Sequence, residues 1–362
     1  MHTLEKITIR GFKSIRDQTL HLRALNLFIG ANGAGKSNLI EVLQFLREIV
    51  SQNLGIYTER KGGPDTILHF GRATTPQLQI ILHFSEGDIV NGYAVGLEAS
   101  EQNKFFFVRE EASYHERQRY ERPYELTIAS AAESRLRDNT HICARQIRNH
   151  LEGYRIYHFH DTSSTAAMKQ LCDVDDNRFL RAKAENLPAY LYFLQQKHPT
   201  HFAVIESTIR QIAPFFDRFT LAPSRMNEAR IQLEWKERGR ETSFKASALS
   251  DGTLRFICLA TLLLQPELPP MIILDEPELG LHPAAITVLA GMLDAAATRT
   301  QVIAATQSVT LINQFGPEQV WAVERDDGQS IFRRLDEQDM SAWADEYSLG
   351  ELWEKNILGA RP

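Results

Sequence analysis

Eight consecutive residues, Gly30-Ala31-Asn32-Gly33-Ala34-Gly35-Lys36-Ser37, follow the pattern G-x-x-x-x-G-K-[ST] and constrain this chain more than any other feature. The pattern needs a strand before it and a helix after it. Both are present: Leu25–Ile29 is a short apolar run, and Lys36–Gln52 carries apolar residues at helical spacing. In such a loop the glycines let backbone amides close around phosphate oxygens, Lys36 reaches the β- and γ-phosphates, and the Ser37 hydroxyl can ligate Mg²⁺. The residues Gly30 to Ser37, with Asn38 following, are therefore candidates for binding a nucleoside triphosphate. A second phosphate-site element lies far downstream, where the buried-type strand Met271–Leu274 ends in Asp275-Glu276-Pro277. Lys36 and Asp275 stand 239 positions apart, too far for a compact single-lobed NTPase. The spacing implies one core split by a long insertion.

Composition narrows the class. With 362 residues, 43% of them hydrophobic, the chain has material for one large domain or two smaller ones. No apolar run approaches the roughly 20 residues that span a bilayer, and the N-terminus has no signal-peptide stretch, which suggests a cytoplasmic protein. Cys143, Cys172 and Cys258 are odd in number and far apart, which argues against a disulfide framework or a zinc ribbon. The net charge of −6 gives no general attraction for nucleic acid. The most basic strip, residues 109–155, holds nine arginines but also eight acids, the pattern of a solvated mixed-charge face.

Along the chain, residues 1–130 read as strands around the P-loop, an N-terminal lobe. Residues 131–240 read as an inserted, mostly helical region, with helices expected over Ala131–Leu151, Arg178–Gln196 and His201–Ile212, and strands over Phe219–Ala222 and Ile231–Trp235. Residues 241–362 alternate helix and strand, a C-terminal lobe. The fold class is α/β with a largely parallel sheet.

Ahead of the Asp-Glu strand stands Leu249-Ser250-Asp251-Gly252-Thr253, where Ser250 can cap the helix that follows. Behind it come Glu278-Leu279-Gly280-Leu281-His282-Pro283 and Ala305-Thr306-Gln307-Ser308. As an ordered set with the P-loop, these resemble the motifs of ABC-type ATPase heads of the RecF, SMC and OLD group. That resemblance implies a P-loop NTPase fold and a homodimer with composite ATP sites, in which Ser250 and Gly252 of one copy contact the γ-phosphate held by the other. Ser37 and Asp275 are the protein oxygens expected at Mg²⁺, which keeps several waters. Glu276 is expected to orient or deprotonate the attacking water. Gln307 stands at the switch position, where many relatives carry His; its amide can donate to a phosphate but carries no charge. Lys36, Glu276 and Gln307 are thus the expected catalytic set.

Asp251 and Gln307 are the two departures from the commoner ABC pattern, and several other features stay open. Asp251 puts a carboxylate where a phosphate should approach, although a helix start favours negative charge. Ile9–Ser14 resembles the group's opening strand and turn, so Lys13 is a candidate contact to a phosphate or the base, with a solvent-facing lysine as the alternative. His282 is open between a helix cap and chemistry, and His69–Arg72 is a weak candidate for a coupling loop. His158-Phe159-His160-Asp161 superficially suggests a metal cluster, but no further ligand recurs at suitable spacing. Too few residues follow Glu324 for a fused TOPRIM nuclease.

Tyr157–Asp161, Asn186-Leu187, Ser250–Phe256 and the tail Tyr347–Asn356 extend the resemblance to short standalone bacterial ATPases of this class. It implies a separately encoded effector, a nuclease or TOPRIM-like protein, in anti-phage defence. A RecF-like DNA-binding repair ATPase and a non-catalytic ATP-dependent scaffold are the alternatives. No membrane partner is expected, and DNA binding is not shown by the residues.

Overall fold

The computed structural model describes residues 3–336 and 347–360. In chain order the elements are β1 (Thr3–Phe12), β2 (Ile15–His21), β3 (Leu25–Ile29), α1 (Lys36–Val50), α2 (Leu54–Arg60), β4 (Gln77–Glu86), β5 (Ile89–Ala99), β6 (Phe105–Glu116), β7 (Tyr124–Thr127) and α3 (Ile142–Gly153). There follow β8 (Tyr154–Tyr157), β9 (Cys172–Asp173), α4 (Leu187–Lys197), α5 (Pro199–Ile212), β10 (Phe216–Phe219), β11 (Pro223–Ser224), β12 (Asn227–Ile231), β13 (Glu234–Glu237) and β14 (Ser243–Lys245). The last are α6 (Asp251–Leu264), β15 (Met271–Asp275), α7 (Pro283–Ala297), β16 (Gln301–Thr306), α8 (Val309–Ile312), β17 (Val320–Asp326), β18 (Gln329–Arg334) and α9 (Leu349–Glu354).

Two compact units divide the chain: Met1–Tyr154 with Gly316–Pro362, and Arg155–Phe315. In the first, β2-β1-β4-β5-β6-β7 form an antiparallel sheet. β1 buries Leu4, Ile7, Ile9 and Phe12, with a register irregularity between Leu4 and Lys6. Strand β3 differs in kind: all five residues are buried, as a strand covered on both faces requires, and it pairs in parallel with β17. α1 turns Leu39, Leu43, Leu46 and Val50 inward, so strand, loop and helix follow one another as the P-loop demands.

In the second unit β15 and β16 pair in parallel from Met271↔Gln301 to Asp275↔Ala305, which aligns the ends of the Asp-Glu and switch strands. Here α6 packs on α5 and α7. Two small sheets, β10-β13-β14 and β11-β12-β9, complete it. Residues 131–240 are shared between the units, α3 lying in the first and α4 and α5 in the second.

Several element bounds differ from the sequence expectation. The helix expected from Ala131 starts at Ile142, because Ser130 and Ser134 give their hydroxyls to the buried Glu110 carboxylate and Arg135 donates its amide to it at 3.3 Å. The helix expected from Arg178 starts at Leu187, since the Asn186 amide donates to the carbonyls of Asp176 and Phe179, both at 2.8 Å, and organises a loop there. The expected strand Phe219–Ala222 lies earlier, at Phe216–Phe219, and Ile231–Trp235 is broken into β12 and β13.

Candidate functional site

The P-loop half belongs to the first unit. Gly35 is the residue before α1, at φ +118°, and no side chain caps that helix. By contrast α6, α7 and α8 each begin with a capping side chain, from Ser250, His282 and Ser308. A glycine start leaves the first amides to an outside acceptor, the requirement of a phosphate cradle. Gly33, at φ +78°, faces open space, so the loop also has room for an anion. Lys36 is buried and its ammonium donates to the carbonyls of Gly30 and, at 3.1 Å, Ala31. The donor set therefore fits the triphosphate of ATP.

The loop is braced by Ser14 and Asn38 together with Ser330 and Arg325, the last two outside any motif. Ser330 donates to the Ala34 carbonyl at 2.5 Å, its Oγ lies 2.6 Å from that of Ser14, and the Asn38 amide donates to Ser14 Oγ at 2.6 Å. Arg325 donates to the Gly33 carbonyl at 3.3 Å. Asn38 thus supports the loop through its side chain. Lys13, at φ +47°, directs its ammonium to Glu41, which also takes Lys61 at 2.6 Å and the Tyr57 hydroxyl at 3.0 Å. Burial opposes the charge on Glu41, but hydrogen bonds from Lys13 and Lys61 outweigh it and hold the carboxyl below its usual range.

Two cavities open on this half. One, about 420 Å³, is lined by Ala31–Ala34, Arg325, Asn356 and Ala360, which brings the tail motif beside the P-loop. The other, about 580 Å³, is lined by Lys13, Ser14, Phe70, Arg72 and Arg325 among others. His69–Arg72 therefore borders a cavity with the β1–β2 turn.

The acid half belongs to the second unit. β15 ends at Asp275, and Glu276 takes the left-handed backbone at φ +43°, unusual for a side chain of its size. Its amide donates to the Ala305 carbonyl at 2.8 Å, and its carboxylate accepts from the Gln307 side-chain amide. The structure thus brings together the expected base and the expected switch residue. Glu278 ties the same strand ends: Oε1 accepts the Thr306 hydroxyl at 2.6 Å and the Gln307 amide at 3.1 Å, while Oε2 is buried with no hydrogen-bond partner among the described residues. Burial raises the Glu278 pKa, the bonds from Thr306 and Gln307 counter it, and the nearby Glu276 charge adds to the rise.

A stability consequence follows. The folded protein keeps a proton on Glu278 that the unfolded chain has already released, so stability falls as pH rises from the ordinary glutamate range through the raised native value. Glu278→Gln keeps the shape and removes the titration. Thermal midpoints between pH 5 and pH 8 are expected to drop less for the variant than for the wild type, by about 2–4 °C for each kcal/mol involved. Parallel profiles would sink the assignment.

Ser250 accepts the Thr253 amide at 3.2 Å and caps α6. A Cβ at Gly252 would lie 2.6 Å from the Gly280 carbonyl, so the signature glycine is also required for close packing of the Glu278–Pro283 turn. His282 caps α7 through Nδ1, at 3.3 Å from the Ala284 amide. Arg255, to which the sequence assigned no role of its own, ties α6 to two segments: it donates to the carbonyls of the adjacent Phe159 at 3.2 Å and His160 at 2.7 Å, and to that of Leu279 at 2.8 Å. The His160 ring sits 2.8 Å from the Asp275 carbonyl. His158–Asp161 thus braces the signature helix and the end of β15, and among the described residues no group of three or more His, Cys, Asp or Glu is placed to hold a metal.

A glycine-started phosphate loop fed by a buried parallel strand, with an Asp-Glu strand end and a serine-capped signature helix, defines an ATPase head of the ABC/SMC type. Solved structures share the fold. An Smc head bound to the C-winged helix domain of ScpA matches with TM-score 0.59 at 14% identity, over 92% of this chain and 98% of that one. A Pyrococcus furiosus Smc head with an extended coiled coil, bound to the C-terminal domain of ScpA, gives 0.57 at 15% identity, over 96% and 99%. The SMC head domain from Thermotoga maritima gives 0.50 at 15% identity, over 92% and 99%. The chain belongs to the family described as AAA domain, putative AbiEii toxin, Type IV TA system, which matches residues 25–313. No curated protein matches it in sequence. It is thus an ATPase of the AAA/SMC-like kind, a nucleotide-binding P-loop protein. No helix among the described residues is long and apolar enough to cross a membrane.

Proposed function

We propose that this protein is an ATP hydrolase that dimerises around Mg-ATP and uses that closure to regulate a separate cytoplasmic effector, a nuclease or TOPRIM-like protein, in anti-phage defence. The observation that carries the reading is the pairing of the Glu276 carboxylate with the Gln307 amide at the ends of β15 and β16. A water needs the first to lose its proton and a γ-phosphate needs a donor such as the second. Gly30 to Asn38 and Lys13 hold the nucleotide, Lys36 neutralises the γ-phosphate, and Ser37 with Asp275 provides the protein oxygens for Mg²⁺. Bound Mg²⁺ would neutralise developing phosphate charge. Ser250 and Gly252 of the second copy complete the site, which makes ATP the bridge between copies.

By motif the chain divides into 1–130 with the P-loop, 131–240 as an inserted region, and 241–362 with signature, Walker B and switch, a division by sequence that does not coincide with the two compact units. The family's description as a putative toxin supports a defence role, and the ScpA domains on the Smc heads support a protein partner. Direct DNA binding is less favoured because the basic strip is of mixed charge, with Arg109 paired to Glu111 at 2.6 Å and Arg117 to Glu5 at 3.3 Å on its surface. Sedimentation with and without Mg-ATP, together with phosphate release, tests the proposal. The expected result is an ATP-dependent doubling of mass with measurable turnover. If neither responds to ATP, a non-catalytic scaffold becomes the better account.

A further inference from the structure

The carboxylate of Asp251, at the mouth of the signature, meets a lysine from the region before it. Lys169 Nζ lies 3.5 Å from Asp251 Oδ1, with side-chain exposures of 8% and 63%. The ammonium also donates to the Thr162 carbonyl. Its place is fixed by neighbours: Met168 is buried with Sδ 3.7 Å from Cys258 Sγ on α6, and the Gln232 amide donates to the Lys169 carbonyl at 3.3 Å. Lys169 is therefore held against the start of α6, one residue from Ser250.

We propose that Lys169 is a positioning residue of the signature: it holds the Asp251 carboxylate and cancels its charge, so that the start of α6 can accept the γ-phosphate of ATP bound to a second copy. This rests on the composite-site reading above. An unpaired Asp251 would repel an arriving triphosphate. The ion pair makes the signature locally neutral, and phosphate arrival costs no net charge repulsion from this turn.

The test is a double-mutant cycle on the full chain, read as the protein concentration at half-dimer in saturating Mg-ATP. Lys169→Met is expected to raise that concentration about tenfold or more, equivalent to roughly 1.4 kcal/mol. Asp251→Asn alone is expected to match or improve on wild type, and Lys169→Met/Asp251→Asn to recover most of the loss. Lys169→Arg should stay near wild type, and added salt should narrow the Lys169→Met deficit. Melting temperatures report folding, and Lys169→Arg keeps the test open if the Met variant does not fold. A Lys169→Met protein that dimerises normally overturns the proposal, as does a double variant as weak as Lys169→Met, which would mark a purely structural role. Absence of ATP-dependent dimer in the wild type is a different failure: it removes the composite-site reading, and this inference with it.

Discussion

Glu276→Gln is expected to lower phosphate release by about 10²–10⁴-fold, the range for loss of a general base, while ATP-dependent dimerisation survives and becomes longer-lived. The physical case is that the substitution removes one function and little else. Glu276 is held by its backbone, through the amide bond to Ala305 at 2.8 Å and the Leu279 amide donating to its carbonyl at 3.1 Å. Neither contact involves the side chain. The carboxylate accepts from the Gln307 amide, and a glutamine carbonyl at the same place can accept as well. What glutamine cannot do is take a proton from water. Binding and closure depend on the P-loop and the signature, which the substitution does not touch. Mass in Mg-ATP and single-turnover phosphate release, measured together, decide the matter. Turnover within about threefold of wild type would remove Glu276 from the chemistry, whereas loss of both turnover and dimer would point to a structural role at φ +43°.

How much of this was legible in the sequence depends on how far apart the cooperating residues lie. The P-loop was readable because its parts are consecutive: a wholly buried strand, a glycine turn and an amphipathic helix meet within Leu25–Val50. The Asp-Glu and switch elements were readable for the same reason, each being a strand with its own terminus. Their pairing through Glu276 and Gln307 needed β15 and β16 to be neighbours in register, which periodicity does not state. The roles of Arg255 and Ser330 were not readable because their partners are distant in sequence, Phe159 and Leu279 for one, Ser14 and Ala34 for the other. The one available signal for Arg255 was its place on the signature helix one turn beyond Ser250. The false start at Ala131 has a similar origin. Its residues have helical spacing, but the buried Glu110 carboxylate draws Ser130, Ser134 and Arg135 into a loop instead. Tertiary hydrogen bonds to a buried charge outweigh weak local propensity.

The second large effect is expected at Gly30, where the loop leaves β3. Gly30 has φ +151°, and a Cβ built there would lie 2.2 Å from the Val323 carbonyl oxygen. That oxygen belongs to a backbone that cannot easily retreat. Val323 is fully buried on β17, which pairs with β18 through Val323↔Phe332 and in parallel with β3 through Ala322↔Ile29. Gly30→Ala therefore has to push the P-loop strand and β17 apart, with unfavourable φ added. Overpacking and strained backbone together are expected to cost about 2–5 kcal/mol, and ATP affinity should fall with them because the Lys36 ammonium is anchored on the Gly30 carbonyl. Gly33 provides the control. At φ +78° it shares the unusual backbone, but a Cβ there meets nothing within 4 Å. Gly33→Ala should cost only the backbone term, about 1–2 kcal/mol. Thermal midpoints and nucleotide titrations of the two variants separate the causes: a Gly30→Ala protein no less stable than Gly33→Ala would show that contact between the loop and β17 does not hold the phosphate cradle in shape.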